Sequence, residues 1–505
     1  MQPSPSHRLH VAFLLLLVLL ARVPDLFYHY QDWDEAAMMS QAWAMTRGQV
    51  LYRDTFQIHP ILNFAIFYPF FALLPSDAAA HAIKLFNLLL AVGVVVSIYA
   101  IGRRWTGDSL MSLLAASLAA QYLGRRWGLS SYGEFYFLLP ILATVGFLFL
   151  RPRSRTTLAA VGALWATAFF IKQMALFDAA GLMLAFFLFD REKPVGKVRA
   201  ASWMILGAAT AAGAVALWLA GHGIFFLAMR ETILGPAGHY VRSAAAGEAL
   251  PSPQAEMVSD PYRRVAALLV AALAVAILAW AAWRSRRRAQ PEEQEDQNPR
   301  RRLLRVLGIW LAADLLGLVS VAKFYPHYLI QLLPALTLLA AYPVVRLRSP
   351  LKRALVVLLL VMILGGTGFV FARTMIKDRG EPRRVRDSRD VAALVRAMSG
   401  PEDRIFLYRF RGLDVFYLAQ RLSSNGIYMF IDMFPEHIND PRVASERQRM
   451  LLERPPRLIV TDPGGPLLGC NSAEPFFDKL LRERYCLRER RAFVEIHELC
   501  NPALP

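Results

Sequence analysis

Residues 354–372 read ALVVLLLVMILGGTGFVFA, a stretch without a charged side chain. A helix of that length covers close to the ~30 Å of hydrocarbon in a bilayer. Lipid offers no partners for backbone polar groups, so such a run reads as a spanning helix rather than a buried strand. Runs of the same kind lie at 85–101, 200–220 and 265–283. Across the 505 residues, 56% are hydrophobic and the mean hydropathy is +0.35, more apolar surface than a soluble chain of this length usually buries.

The net charge of +18 raises the question of a nucleic-acid partner. Its distribution answers against one. Basic residues gather in short loops between alternate apolar runs: Arg103-Arg104, Arg151/Arg153/Arg155, 191–199, 284–305 and 346–353. That is the positive-inside pattern of a polytopic membrane protein. Spans are predicted at about 9–24, 82–102, 109–123, 132–150, 156–171, 174–190, 200–220, 264–283, 303–322, 327–345 and 353–373. The expected fold class is therefore mostly α, with about eleven transmembrane helices and a small soluble α/β domain at the C-terminus. The expected domains are a membrane domain over 1–373, with its first outer loop at 24–81, and an extracytoplasmic domain over 374–505. The N-terminus is expected in the cytoplasm of a multi-pass inner-membrane protein, and the odd number of crossings puts the C-terminal domain outside. Arg8 followed by 11–21 also fits a signal peptide, but no small-x-small cleavage site follows, so the segment is read as a retained helix.

Cys470, Cys486 and Cys500 all fall in the outer domain, where a disulfide is permitted; three cysteines do not choose the pair. After position 373 the strand-like runs RIFLYR (404–409), IYMFI (427–431) and RLIVT (457–461) alternate with helix-like segments. No G-x-G-x-x-G or Walker loop is present, so no nucleotide site is assigned.

The densest polar set beside the spans is the first loop, DWDEAAMMSQAWAMTRGQVLYRDTFQIHP (32–60), with Asp32, Asp34, Glu35, Arg53, Asp54 and His59. Residues 34–45 read as a helix with acids in its first turn and Gly48 as a stop. Its apolar stripe Met38, Ala42 and Met45 suits a helix lying on the membrane surface. A second piece, 61–74, is too short to span and reads as re-entrant or interfacial.

These residues carry a resemblance. DWDEAAMMSQA…RGQVLYRDTFQIHPIL resembles the first-loop signature of bacterial GT-C-fold glycosyltransferases, the group of protein O-mannosyltransferases and the aminoarabinose transferases that modify lipid A. AKFYPHYLIQLLPALTLLAA at 322–341 is similar to a late-span segment of the same group. A single Pro60 followed by Ile61 departs from the two prolines of many relatives. The resemblance implies a transferase that takes sugar from a polyprenyl-phosphate donor to a lipid, glycan or protein acceptor at the outer face. It implies Asp34 as general base, supported by Glu35, with Arg53, His59, Lys172, Lys323, His327 and Tyr328 as candidate donor or phosphate groups. An acceptor hydroxyl must lose its proton as it attacks, and charge must be met on the departing phosphate. One base without a covalent intermediate predicts inversion at the anomeric carbon.

No cofactor is expected as obligatory: Asp32, Asp34, Glu35 and His59 could bind a divalent metal, but a monophosphate leaving group does not require one. Weaker candidates are Arg22, Arg125-Arg126, Glu134, His222 and His239, for which snorkelling or an ordinary helix-end position is the plain alternative. The competing functional class is a transporter or flippase of lipid-linked intermediates, for which charged residues in mid-membrane would speak. Asp178 and Asp314 lie in apolar runs, but neither has a partner that the sequence identifies.

Overall fold

A computed structural model describes residues 5–150, 152–189, 194–234, 299–320, 326–377, 383–408, 410, 412–428, 441–461, 474–491 and 493–500. The chain is mostly helical, with one four-stranded sheet near its C-terminus. Among the described residues, five helices are long and apolar enough to cross a membrane: Ser6–Phe27, Ser76–Thr106, Pro194–Gly221, Leu329–Arg346 and Ser349–Ile376. Four shorter apolar helices follow the expected positions closely: Ser109–Leu123, Gly133–Phe149, Arg155–Ile171 and Ala175–Phe189. The Pro299–Ser320 helix takes the place of the 303–322 run. The expected span at 264–283 lies outside the described residues.

Local chemistry sets several of these ends. Asp108 accepts the Leu110 and Met111 amides at 3.1 Å and pairs with Lys352, while Ser154 accepts the Thr157 amide at 3.0 Å. Glycine decides one crossing. A Cβ on Gly162 would stand 1.7 Å from the Met204 carbonyl oxygen, and one on Gly207 would stand 1.8 Å from that of Ala159. The two backbones meet without side chains between them, as small residues allow in membrane bundles.

The described residues fall into two compact units. One draws on Met1–Leu26, Leu85–Leu217 and Arg264–Lys377; the other on Phe27–Lys84, Trp218–Arg263 and Asp378–Pro505. The loop after the first helix thus groups with the C-terminal region. Phe56 of the loop enters the core of the sheet domain beside Phe406, Tyr408, Ile459 and Phe477. Polar contacts run alongside: the Ser40 hydroxyl donates to the Leu413 carbonyl at 2.6 Å, the Phe56 amide to that of Gly426 at 3.1 Å, and the Tyr428 hydroxyl to Gln49 Oε1 at 2.7 Å.

The sheet order is β1 (Ile405–Tyr408), β2 (Leu458–Thr461), β4 (Val494–Leu499), β3 (Tyr485–Arg491). β1 and β2 are parallel with Ile405 opposite Leu458; β2 and β4 are antiparallel with Val460 opposite Ile496. Both expected strands at 404–409 and 457–461 form. Ile427 and Tyr428 of the third are buried in loop structure, and 429–431 lie outside the described residues. The β3–β4 hairpin escaped the sequence reading because its alternation is masked by arginines and glutamates on both faces. A disulfide joins Cys486 to Cys500 across it, the pair that the sequence left open.

Two local expectations change. The loop helix Trp33–Thr46 is buried continuously from Glu35 to Ala44, so it is a core helix of its unit and not a one-sided surface helix. Residues 61–74 form two short pieces, Leu62–Ala65 and Tyr68–Leu73, because Pro69 starts a new helix at its first turn.

Candidate functional site

The start of the Trp33–Thr46 helix separates its adjacent carboxylates by environment. Asp32 is the N-cap, extended at φ −139°, and accepts the Asp34 amide at 3.1 Å. Glu35 is fully buried; it accepts the Gln31 amide at 2.6 Å and the Lys84 ammonium on both oxygens, at 2.7 and 2.8 Å. Its charge is therefore neutralised within the fold. Asp34, on the same first turn, is partly exposed.

Lys84 belongs to a face of the Ser76–Thr106 helix that also carries Asp77 and His81. The spacing of i, i+4 and i+7 places all three on one side. His29 Nε2 lies 2.7 Å from Asp77 Oδ1, and Arg389 Nη2 donates to both Asp77 oxygens at 2.8 and 3.0 Å. Sequence reasoning missed this group, because its members are scattered through 360 positions from His29 to Arg389.

Further along the loop, Tyr52 holds a left-handed backbone, φ +69°, an uncommon state for a bulky residue. Its ring is buried and its hydroxyl donates to the His59 carbonyl at 2.9 Å. Burial first, and then the charge of Glu231, raise the Tyr52 hydroxyl well above its usual range, so it is a proton donor at neutral pH. Glu231, itself buried, accepts the Gln57 amide at 3.2 Å. Arg53 points outward and bonds Asp54 at 3.1 and 3.2 Å. His59 is partly exposed in the turn before Pro60.

In the other unit, three of the expected donor-side residues come together. Lys172 follows the Arg155–Ile171 helix as its C-cap in extended conformation, φ −154°. Its ammonium lies 2.6 Å from Glu134 Oε1 and 5.1 Å from the centroid of the Tyr328 ring. His327 is stacked on Tyr132 with ring centroids 4.0 Å apart and planes 13° apart. Glu134 is fully buried, so the lysine is held by an ion pair rather than snorkelling to water. Lys323 lies outside the described residues, as does His239. His222 is exposed and contacts the Trp218 carbonyl of the helix that precedes it.

Arg22 has a different role from the one its position suggested. It is buried and donates to the carbonyls of Leu123, Gly128 and Leu129 at 3.0, 2.7 and 3.2 Å, with Asp25 at 3.8 Å. It clamps the turn after Ser109–Leu123. Arg125 in that turn is exposed. Asp178 and Asp314 prove to be each other's neighbours, on facing helices, with Trp310 Nε1 donating to Asp178 Oδ1 at 2.8 Å.

No family model matches this chain, and no curated protein matches it in sequence. Solved structures do match. ArnT from Cupriavidus metallidurans in the apo state aligns with a TM-score of 0.61 at 12% identity, over 98% of this chain and 98% of that one. The same protein bound to undecaprenyl phosphate aligns with a TM-score of 0.57 at 14% identity, over 98% and 99%. The archaeal oligosaccharyltransferase AglB from Archaeoglobus fulgidus, in complex with an inhibitory peptide and a dolichol-phosphate, aligns with a TM-score of 0.48 at 12% identity, over 90% and 69%. The full-length likeness to ArnT shows that the chain has the GT-C fold.

Proposed function

We propose, from a GT-C fold carrying an acidic first-loop helix, that this chain is a membrane glycosyltransferase. It moves a sugar from a polyprenyl-phosphate carrier to a hydroxyl or amine of a lipid, glycan or protein. The carrying observation is the division of labour between neighbouring carboxylates: Glu35 is sealed and paired with Lys84, and Asp34 is left partly exposed. A base must reach its proton, and Asp34 is the one placed to do so. The likeness to an ArnT that binds undecaprenyl phosphate supports a lipid phosphate as the donor's carrier.

In this reading Asp34 takes the acceptor proton as the acceptor oxygen or nitrogen attacks the anomeric carbon. The bond from that carbon to the phosphate oxygen breaks in the same displacement, inverting the centre. Within the other unit, Lys172, paired with Glu134 and beside the Tyr328 ring, is the candidate cation for a lipid phosphate, with His327 next to Tyr328. Glu35 and Lys84 act by fixing the helix that carries Asp34. The reaction belongs at the outer face of an inner membrane, with the N-terminus in the cytoplasm and the C-terminal domain outside.

Purified protein given a polyprenyl-phosphate sugar and an acceptor-rich envelope extract should release free polyprenyl phosphate. Asp34→Asn should abolish the release in a protein that still folds. Full turnover in Asp34→Asn would overturn the assignment. The buried Asp178–Asp314 pair favours a second reading, transport of the intact lipid-linked sugar, since carboxyls within membrane helices commonly mark translocation paths. Movement of intact donor across proteoliposomes, without release of polyprenyl phosphate, would support that reading instead.

A further inference from the structure

We propose that His29, Asp77 and His81 form a binding site for a divalent transition-metal ion of the zinc type, apart from the residues assigned to sugar transfer. Each offers one ligand atom, and these atoms all lie within 4.8 Å of one another. Zinc is held by imidazole nitrogen and carboxylate oxygen at about 2.0–2.2 Å, which requires ligand atoms a little over 3 Å apart. His29 Nε2 and Asp77 Oδ1 are 2.7 Å apart, a direct contact that would open slightly around an ion, and the His81 nitrogen lies within 4.8 Å of both. Asp77 and His81 sit four residues apart on one helix, the spacing that directs two side chains at one ion. The two imidazoles meet edge to face, with ring centroids 5.3 Å apart.

A second observation points to the same chemistry. A metal-bound histidine usually presents its other ring nitrogen to a carboxylate, which fixes the ring and raises its basicity. His29 turns Nδ1 toward Asp414 Oδ2 at 3.8 Å, and both of these buried atoms lack a hydrogen-bond partner. Asp414 is fully buried and is itself held by the Ser388 hydroxyl at 3.0 Å. The order Ser388, Asp414, His29 and then the candidate ion is that of a supported metal ligand.

The place already holds a cation. The Arg389 guanidinium lies on Asp77 and its Nη2 is 3.3 Å from His29 Nε2. Arg389 and Asp77 are 41% and 49% exposed, so the guanidinium has solvent to withdraw into and the ion has a way in. Arg389 therefore competes with the metal. An ion seated there would join Phe27–Lys84 to the C-terminal region within the same unit.

The test uses the full-length protein in detergent, stripped with a chelator, dialysed against zinc chloride, and assayed by atomic emission for bound metal. One zinc per chain is expected. His81→Ala, at a partly exposed position, should weaken binding at least about tenfold while the metal-free protein melts as before. Asp414→Asn should weaken it by a similar factor, and Arg389→Gln should tighten it by removing the competing charge. The cobalt-substituted protein should show the visible spectrum of a site with nitrogen and oxygen ligands, lost in His81→Ala. No binding by either the wild type or Arg389→Gln would overturn the proposal. So would stoichiometric zinc that His81→Ala leaves unchanged, because the ion would then sit elsewhere.

Discussion

Lys84 Nζ stands 2.7 and 2.8 Å from the two carboxylate oxygens of Glu35, and neither side chain reaches solvent. Each charge depends on the other, because a lone charge in a dry interior has neither water nor counter-ion. Lys84→Met should cost about 3–5 kcal/mol by leaving Glu35 unpaired. The double variant Glu35→Leu/Lys84→Met should recover most of that loss. Thermal melting in detergent measures both, and an equally large loss in the double variant would show that the pair matters for more than charge.

Asp34 and Glu35 should separate cleanly in function. Asp34→Asn is expected to lower turnover of a polyprenyl-phosphate sugar by at least about 100-fold, the scale of losing a general base, with little change in melting temperature. Glu35→Gln should mainly lower the melting temperature. Equal loss of turnover without destabilisation in both would remove the distinction between base and positioning residue.

The Lys172–Glu134 pair makes a prediction of opposite signs. Lys172→Gln removes a charged donor, a loss of about 1.5–3 kcal/mol, so the KM for lipid donor should rise on the order of tenfold or more. Glu134→Gln removes the anion that now occupies the lysine and should lower that KM. If both substitutions raised KM alike, the pair would be structural only.

Gly162 tests the membrane unit alone. Gly162→Ala puts a methyl group where the Met204 carbonyl stands, so the two helices must separate. Packing over the whole crossing is then loosened, and a loss of about 1–3 kcal/mol is expected, the usual cost of overpacking. Size-exclusion profile and melting temperature in detergent give the readout. Substitution of Gly146, where a Cβ would meet nothing within 4 Å, serves as the control.

Asp54 gives the first loop an acid limit. Burial alone would raise its carboxyl, but hydrogen bonds from Arg53 and the Val50 amide, with the charges of Arg53 and Arg404, hold it below the usual carboxylate range. A group lowered on folding stabilises the fold above its unfolded value, near pH 4, and that stabilisation is lost as pH falls through the folded value. The melting temperature of Asp54→Asn should therefore lie below that of the wild type at neutral pH. The two should converge below about pH 4.

Much of the architecture was legible in the sequence because apolar runs of ~20 residues have few alternatives in lipid. The helices at Ser109–Leu123, Arg155–Ile171 and Ala175–Phe189 match their expected limits to within a residue or two. The first-loop helix was equally readable from its first-turn acids and Gly48. The β3–β4 hairpin was not, since Tyr485–Arg491 exposes most of both faces and so lacks the alternation that marks a half-buried strand.

What the sequence determined by itself was local and periodic: where helices run, and that Asp34 and Glu35 stand together on a first turn. Tertiary structure alone decided that Glu35 is buried and neutralised, because the lysine that pairs with it lies 49 positions away. It also turned Arg22 from a snorkelling candidate into a clamp on three carbonyls, paired Asp178 with Asp314, and chose Cys486 and Cys500 from three cysteines. Periodicity reports the face a residue occupies, whereas charge pairing depends on distances that only the packed chain sets.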